Sequence, residues 1–445
     1  MAQRGHNDTA LRTILFAGIM LSAAPVMAQD SEGLVANFTF SQGLTYSDDD
    51  EGSNARTDFG FGLRSETRSQ TFDFQVQSGL ELDFEEGSNV EAEDQTASLS
   101  YGIENRNTAI TTDLSYSQQD TDEFVADSSG VPGVLDLDND GIVENARSNF
   151  TLDFGREAKF GGSLDLGYSN TTYSGVSNTA LIDSERISAG VGLRFEIDPL
   201  ITTTLDYRYS ENDRETGRDV ETERFSLGGE FAVSPTLTAN VSIGFTEIIV
   251  EDGGVTTEDD GLSFNLSLNQ DRTVGGLQYS LSSDLSESGR RTTARVGGSV
   301  ETRRGALSGS FGLTESEDNT IRPTLTLSYD EDLLRGNYSV SINQAFSNDT
   351  DGDETLNSRL RLNWNHNLTQ TSRFASSLTY QMSDVLGEDE DTTRFELGVS
   401  YSQDLTDDWA VTARYTHFVV NDDDAPRNRE NELFIGLETS FGWRP

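Results

Sequence analysis

Three aspartates alternate in Asp136-Leu137-Asp138-Asn139-Asp140, and Gly141, Ile142 and Glu144 follow. Carboxylates at this spacing can converge on one hard cation, which wants several oxygen ligands. Gly141 would permit the sharp turn, Ile142 would offer its carbonyl, and Glu144 stands where ligation often runs through water. The twelfth position is Arg147 rather than a bidentate Glu, and no helical periodicity flanks the run. The expectation is a weak calcium loop of the isolated Asp-Gly type, with a plain acidic turn as its alternative. A second run, Asp349 to Glu354, places Gly352 too early for the same geometry.

Other chemistry is sparsely supplied. Beyond residue 28 the histidines are His366 and His417. A hydrolytic site needs His paired with an acid or a nucleophile. Trp364 and Tyr415 lie two residues before them, which puts both histidines in an apolar register of a strand. There is no cysteine, no nucleotide loop and no GxSxG elbow. The chain is expected not to be an enzyme and to require no cofactor beyond the possible calcium; a barrel enzyme using His417 and Asp422 is the remote alternative.

The elements that must carry these residues read clearly. Arg4 and Arg12 precede the apolar run Ile14 to Leu21, and Val26 and Ala28 fit signal-peptidase cleavage. Residues 1–28 are therefore read as a secretory signal rather than a membrane anchor, and 29–445 as the mature protein. The 445 residues carry a net charge of -46 and only 34% hydrophobic residues, a balance shared with disordered chains. Patterning separates the two cases. Leu34, Ala36, Phe38 and Phe40 alternate with polar residues, as do Phe72, Phe74 and Val76, and Phe395, Leu397, Val399 and Tyr401. Such alternation describes strands with one apolar and one wet face.

About 22 such runs can be counted, with even numbers from about 18 to 24 compatible. Their connections alternate between short turns, such as Asp198-Pro199-Leu200, and longer acidic segments. The acidic segments are Ser47 to Ala55, Glu85 to Asp94, Gln118 to Arg147, Glu211 to Glu223, Glu251 to Gly261, Ser347 to Asn357, Ser383 to Thr392 and Asn421 to Glu430. In hydrocarbon every backbone polar group must be paired, so a sheet survives only when closed. The expected fold is all-β: a transmembrane antiparallel up-and-down β-barrel with long acidic extracellular loops. A soluble solenoid or a string of sandwich domains would show repeats or linkers, and none is visible.

The last strand ends Leu437-Glu438-Thr439-Ser440-Phe441-Gly442-Trp443-Arg444-Pro445. It resembles the C-terminal strand of Gram-negative outer-membrane β-barrel proteins, and the chain as a whole looks most like their porin-type barrels. The resemblance implies the outer membrane as location, lipid and lipopolysaccharide as surroundings, and reading of this strand by the barrel-assembly machinery. The longest connection would be the third outer loop, which in general porins folds into the bore.

Alternation assigns Asp73, Asp83, Asp113, Asp153, Asp165, Glu196, Asp206, Glu230, Glu396 and Glu438 to the lumen. It places Arg186, Arg194, Arg208, Arg224, Arg295, Arg359, Arg361, Arg394 and Arg414 there too. These charges either stiffen the wall as cross-strand pairs or line a solute path. The expected function is porin-like passage of small polar solutes. The alternative is a non-conducting surface barrel, or an exopolysaccharide export barrel, with cation-binding acidic loops. The negative charge excludes nucleic acid as a partner. Oligomeric state is open at this level.

Overall fold

The computed structural model describes residues 32–48, 53–84, 90–121, 141–176, 181–316, 320–348, 353–386, 391–422 and 428–444. They form 22 strands. The first eight are β1 (Glu32–Ser47), β2 (Ser53–Glu66), β3 (Gln70–Asp83), β4 (Val90–Glu104), β5 (Thr108–Asp120), β6 (Ile142–Phe154), β7 (Phe160–Ser174) and β8 (Ser184–Asp198). Next come β9 (Ile201–Arg214), β10 (Arg218–Ser234), β11 (Leu237–Asp252), β12 (Val255–Arg272), β13 (Gly275–Ser286), β14 (Gly289–Glu301) and β15 (Gly305–Glu315). The last seven are β16 (Ile321–Leu333), β17 (Gly336–Asn348), β18 (Glu354–Asn367), β19 (Ser372–Val385), β20 (Asp391–Asp404), β21 (Trp409–Asp422) and β22 (Asn428–Trp443).

Each strand pairs antiparallel with the next, and β1 pairs with β22 from Ala36 opposite Trp443 to Ser47 opposite Glu432. The sheet is thus closed, with no free edge. The start of β1, the end of β22 and the short turns share one rim, which is the periplasmic one in barrels of this organisation. The proposed signal segment and residue 29 lie outside the described residues.

The two faces separate as the alternation requires. On one face Phe225 stands opposite Tyr207 and Phe245, and Leu227 opposite Leu205 and Ile243. Phe225 and Leu227 remain about half exposed, as does a continuous belt of large apolar residues from Phe38 to Trp443. On the other face ion pairs skip strands: Arg224 of β10 reaches Asp284 of β13, and Arg291 of β14 reaches Glu354 of β18. Side chains converge across intervening strands only on a concave surface, so the polar face lines the bore. Apolar out and polar in is the arrangement that a barrel in lipid needs.

Two of the expected acidic loops are corrected by the structure. Glu211 to Glu223 and Glu251 to Gly261 are mostly strand, and the connections shrink to 215–217 and 253–254. Pairing persists above the belt, where the inward side chains include the buried Val220 and Ile248 beside Arg214 and Arg218. Val220 and Ile248 are 4% and 3% exposed. Gly253 and Gly254 have φ of 57° and 81°, the left-handed pair that a two-residue hairpin turn demands. The expected 118–147 connection is shorter too, since β5 runs to Asp120 and β6 starts at Ile142.

The wall is uneven in height. β12 pairs with β13 only from Phe264 opposite Ser283 downward, so Val255 to Ser263 stand above β13. The β13–β14 tip, Glu287-Ser288, turns against the inner face of this tall section. Glu287 Oε2 lies 3.5 Å from Arg218 Nη2 and 4.0 Å from Arg214 Nη1.

Candidate functional site

The bore is lined by the charges that the alternation assigned to it. Asp73 faces inward opposite Arg64 and Ser100, Asp153 opposite Ala109 and Ser163, and Glu230 opposite Thr202 and Asn240. Arg295 lies opposite Ser280 and Gly312, and Arg361 opposite Ser341 and Thr379. Arg359 donates to Gln381 Oε1 at 2.9 Å. Arg194 instead caps the β6–β7 turn, its Nη2 donating to the carbonyls of Gly155, Arg156 and Ala158 at 2.8, 3.1 and 3.1 Å. Asp83 belongs to β3 opposite Asn54, and its side chain lies outside the described ones.

One part of the wall forms a recess of about 200 Å³ lined by Asp206, Arg208, Arg224 and Ser226. Arg208 and Arg224 are directly opposite each other on β9 and β10, and Asp206 is opposite Ser226 one step along. Like charges so placed repel. Arg224 turns away: its Nη2 lies 2.8 Å from Asp284 Oδ1, close in charge though not aligned as a hydrogen bond. Arg208 is exposed to the bore and forms no ion pair among the described residues.

The floor beside it is glycine. A methyl group on Gly190 would sit 3.5 Å from Asp165 Cβ and 3.9 Å from Arg208 Cγ. One on Gly192 would sit 3.1 Å from Asp206 Oδ1 and 3.0 Å from Ser163 Oγ. Glycine inside a strand weakens it and often marks a close approach by another group. Sequence alternation found Asp206, Arg208 and Arg224 but not Asp284, Glu287 or Arg291, because their partners are strands apart. Gly190 and Gly192 were also missed; the alternating Gly190-Val191-Gly192 was the available signal.

The calcium-loop residues divide. Asp136, Asp138 and Asp140 lie outside the described residues. Ile142 and Glu144 are strand residues of β6, opposite Asp120 and Gln118, on the same outward face as Tyr116. Among the described residues no group of three or more His, Asp or Glu is placed to hold a metal ion.

Both histidines take the outward register. His366 stacks near Trp364, with ring centroids 5.8 Å apart. His417 Nδ1 donates to Asn431 Oδ1 at 2.8 Å, and Tyr415 donates to the same oxygen at 2.7 Å. Asn431 in turn donates to Asp48 from Nδ2 at 2.6 Å and from its backbone N–H at 2.7 Å. These bonds, side chain first, hold the Asp48 carboxyl below the ordinary aspartate range. The cluster fastens the β1–β22 seam at the outer rim.

No family model matches the chain, and no curated protein matches it either. Solved structures do. The FrpB iron transporter from Neisseria meningitidis (F5-1 variant) superposes with a TM-score of 0.57 at 9% identity, over 93% of this chain and 83% of that one. BauA, the ferric preacinetobactin receptor from Acinetobacter baumannii, gives 0.55 at 10% identity, over 93% and 80%. The siderophore receptor PirA from Pseudomonas aeruginosa gives 0.51 at 10% identity, over 93% and 81%. The closed ring, its apolar belt and these matches agree on one architecture. The protein is an outer-membrane β-barrel. At identities this low the likeness speaks for the fold alone.

Proposed function

We propose that the barrel is a porin-like channel for passive passage of small polar solutes. The observation that carries this reading is Arg208. It stands exposed on the inner face beside the belt residues Tyr207 and Phe225, without an ion pair among the described residues. A guanidinium at membrane depth is tolerated when it meets water, and costs several kcal/mol when it does not. Asp113 and Asp165 are exposed on the same inner register, so charges of both signs point to a hydrated bore. In this reading His417 belongs to the outer aromatic girdle and is no general base. The acidic strand ends of β9–β12 face lipopolysaccharide, and the assembly machinery reads β22, whose Phe441 and Trp443 point outward.

The test is planar-bilayer recording of the purified mature protein. Stepwise, ohmic conductance is expected. A barrel that stays sealed at all voltages refutes the reading and leaves a structural or export role.

A further inference from the structure

The recess on β7–β10 has a charge pattern that neither a simple anion nor a simple cation satisfies. Arg208 offers an uncommitted guanidinium, while Arg224 beside it is countered by Asp284 at 2.8 Å. Asp206 precedes Arg208 by two residues on the same inward face, and Asp165 flanks the Gly190 gap from the other side. A bare anion bound at Arg208 would lie near two carboxylates. A bare cation bound at Asp206 would lie near Arg208. A molecule with both signs a few ångströms apart meets each charge with its opposite. Ser226 adds a hydroxyl to the lining.

We propose that this recess is a wall subsite for small zwitterionic solutes of the α-amino-acid type. The solute carboxylate pairs with Arg208, whose planar fork suits two parallel hydrogen bonds. The solute ammonium takes Asp206, with Asp165 in support. Occupancy is brief, because the site opens to water and each charge pair there is weak. A subsite of this kind raises the local concentration of zwitterions along one side of the bore and favours their passage. The proposal rests on the channel reading for its consequence, and on the recess alone for binding.

Three solutes of nearly equal size separate the possibilities: L-alanine, L-lactate and propane-1,2-diol. Liposome swelling with the full mature chain measures entry of alanine relative to the diol. The ratio should fall about two- to fivefold in Arg208→Gln and in Asp206→Asn. It should stay unchanged in Arg303→Gln, an exposed arginine of the short β14–β15 turn. Lactate entry should respond to Arg208→Gln in the same direction and rise in Asp206→Asn. Folding of each variant is checked by heat-modifiable mobility on gels. Alanine-to-diol ratios that match the unsubstituted protein in both recess variants overturn the subsite. If the diol itself does not enter, the channel reading fails, and saturation-transfer NMR of alanine on the detergent-solubilised barrel decides the subsite separately. Signal lost in both variants supports it, and signal retained in both overturns it.

Discussion

Val241 and Ser242 are neighbours on β11 with opposite surroundings. Val241 points outward opposite Gly229 and Leu266, at the middle of the run Leu237, Ala239, Val241, Ile243 and Phe245 that ends at Glu247. Ser242 points into the bore opposite Gly228 and Asn265. Arginine at Val241 must hold a guanidinium near the bilayer midplane, where a lipid-facing arginine on a barrel costs about 2–4 kcal/mol. Arginine at Ser242 meets a wet wall and should cost within about 0.5 kcal/mol. The first change should lower the folding equilibrium constant by about 1.5 to 3 decades, and the second by less than half a decade. Urea titration of both variants and the parent, refolded into phosphatidylcholine vesicles and followed by tryptophan fluorescence, measures the difference. Equal losses for the two substitutions would mean that the faces are assigned wrongly or that the bore is dry.

Three further outcomes follow from particular contacts. Because Asp48 has a folded-state pKa below its ordinary value of 3.8, its bonds to Asn431 stabilise the seam fully above that value. The contribution is lost as pH falls through the lowered value, so protection of the Thr45 to Ser47 amides, taken relative to the intrinsic exchange rate at each pH, should fall on acidification below about pH 4 in the parent but not in Asp48→Asn. Glu287→Gln should loosen the β13–β14 tip by at least about 1 kcal/mol, since Glu287 and its partners Arg218 and Arg214 are largely shielded from water. In this cysteine-free chain the tip can be read by labelling Ser288→Cys, with about fivefold faster modification expected and no change refuting the contact. Gly43→Val should impair closure, since a Cβ there would lie 2.5 Å from the Phe434 ring and 2.6 Å from the Ile435 carbonyl. Overpacking of this kind costs about 1–3 kcal/mol, and the folded fraction on refolding should fall accordingly.

Alternation alone determined most of the fold. Phe225 and Leu227 had to face one way and Arg224 and Ser226 the other, because side chains along a strand have period two. Lipid then forces closure, since an open edge would leave backbone donors and acceptors unpaired. Strand number and the inward placement of Arg208, Asp206 and Glu230 were legible for the same reason. Strand ends were less so. Glu211 to Glu223 looks like a loop by its acids, yet pairing continues up to Asn212 opposite Val220, and Arg214 and Arg218 above it are held by Glu287 of the tucked β13–β14 tip. The partners across the bore lay beyond the sequence's reach. Arg224 meets Asp284, and Glu287 meets Arg218, only because wall curvature and uneven strand height bring distant strands together. Register and shear are properties of the closed ring, and no local pattern encodes them. The same holds for the recess: its arginines were visible residue by residue, but their opposition on β9 and β10 and the glycine floor beneath them exist only once the strands are paired.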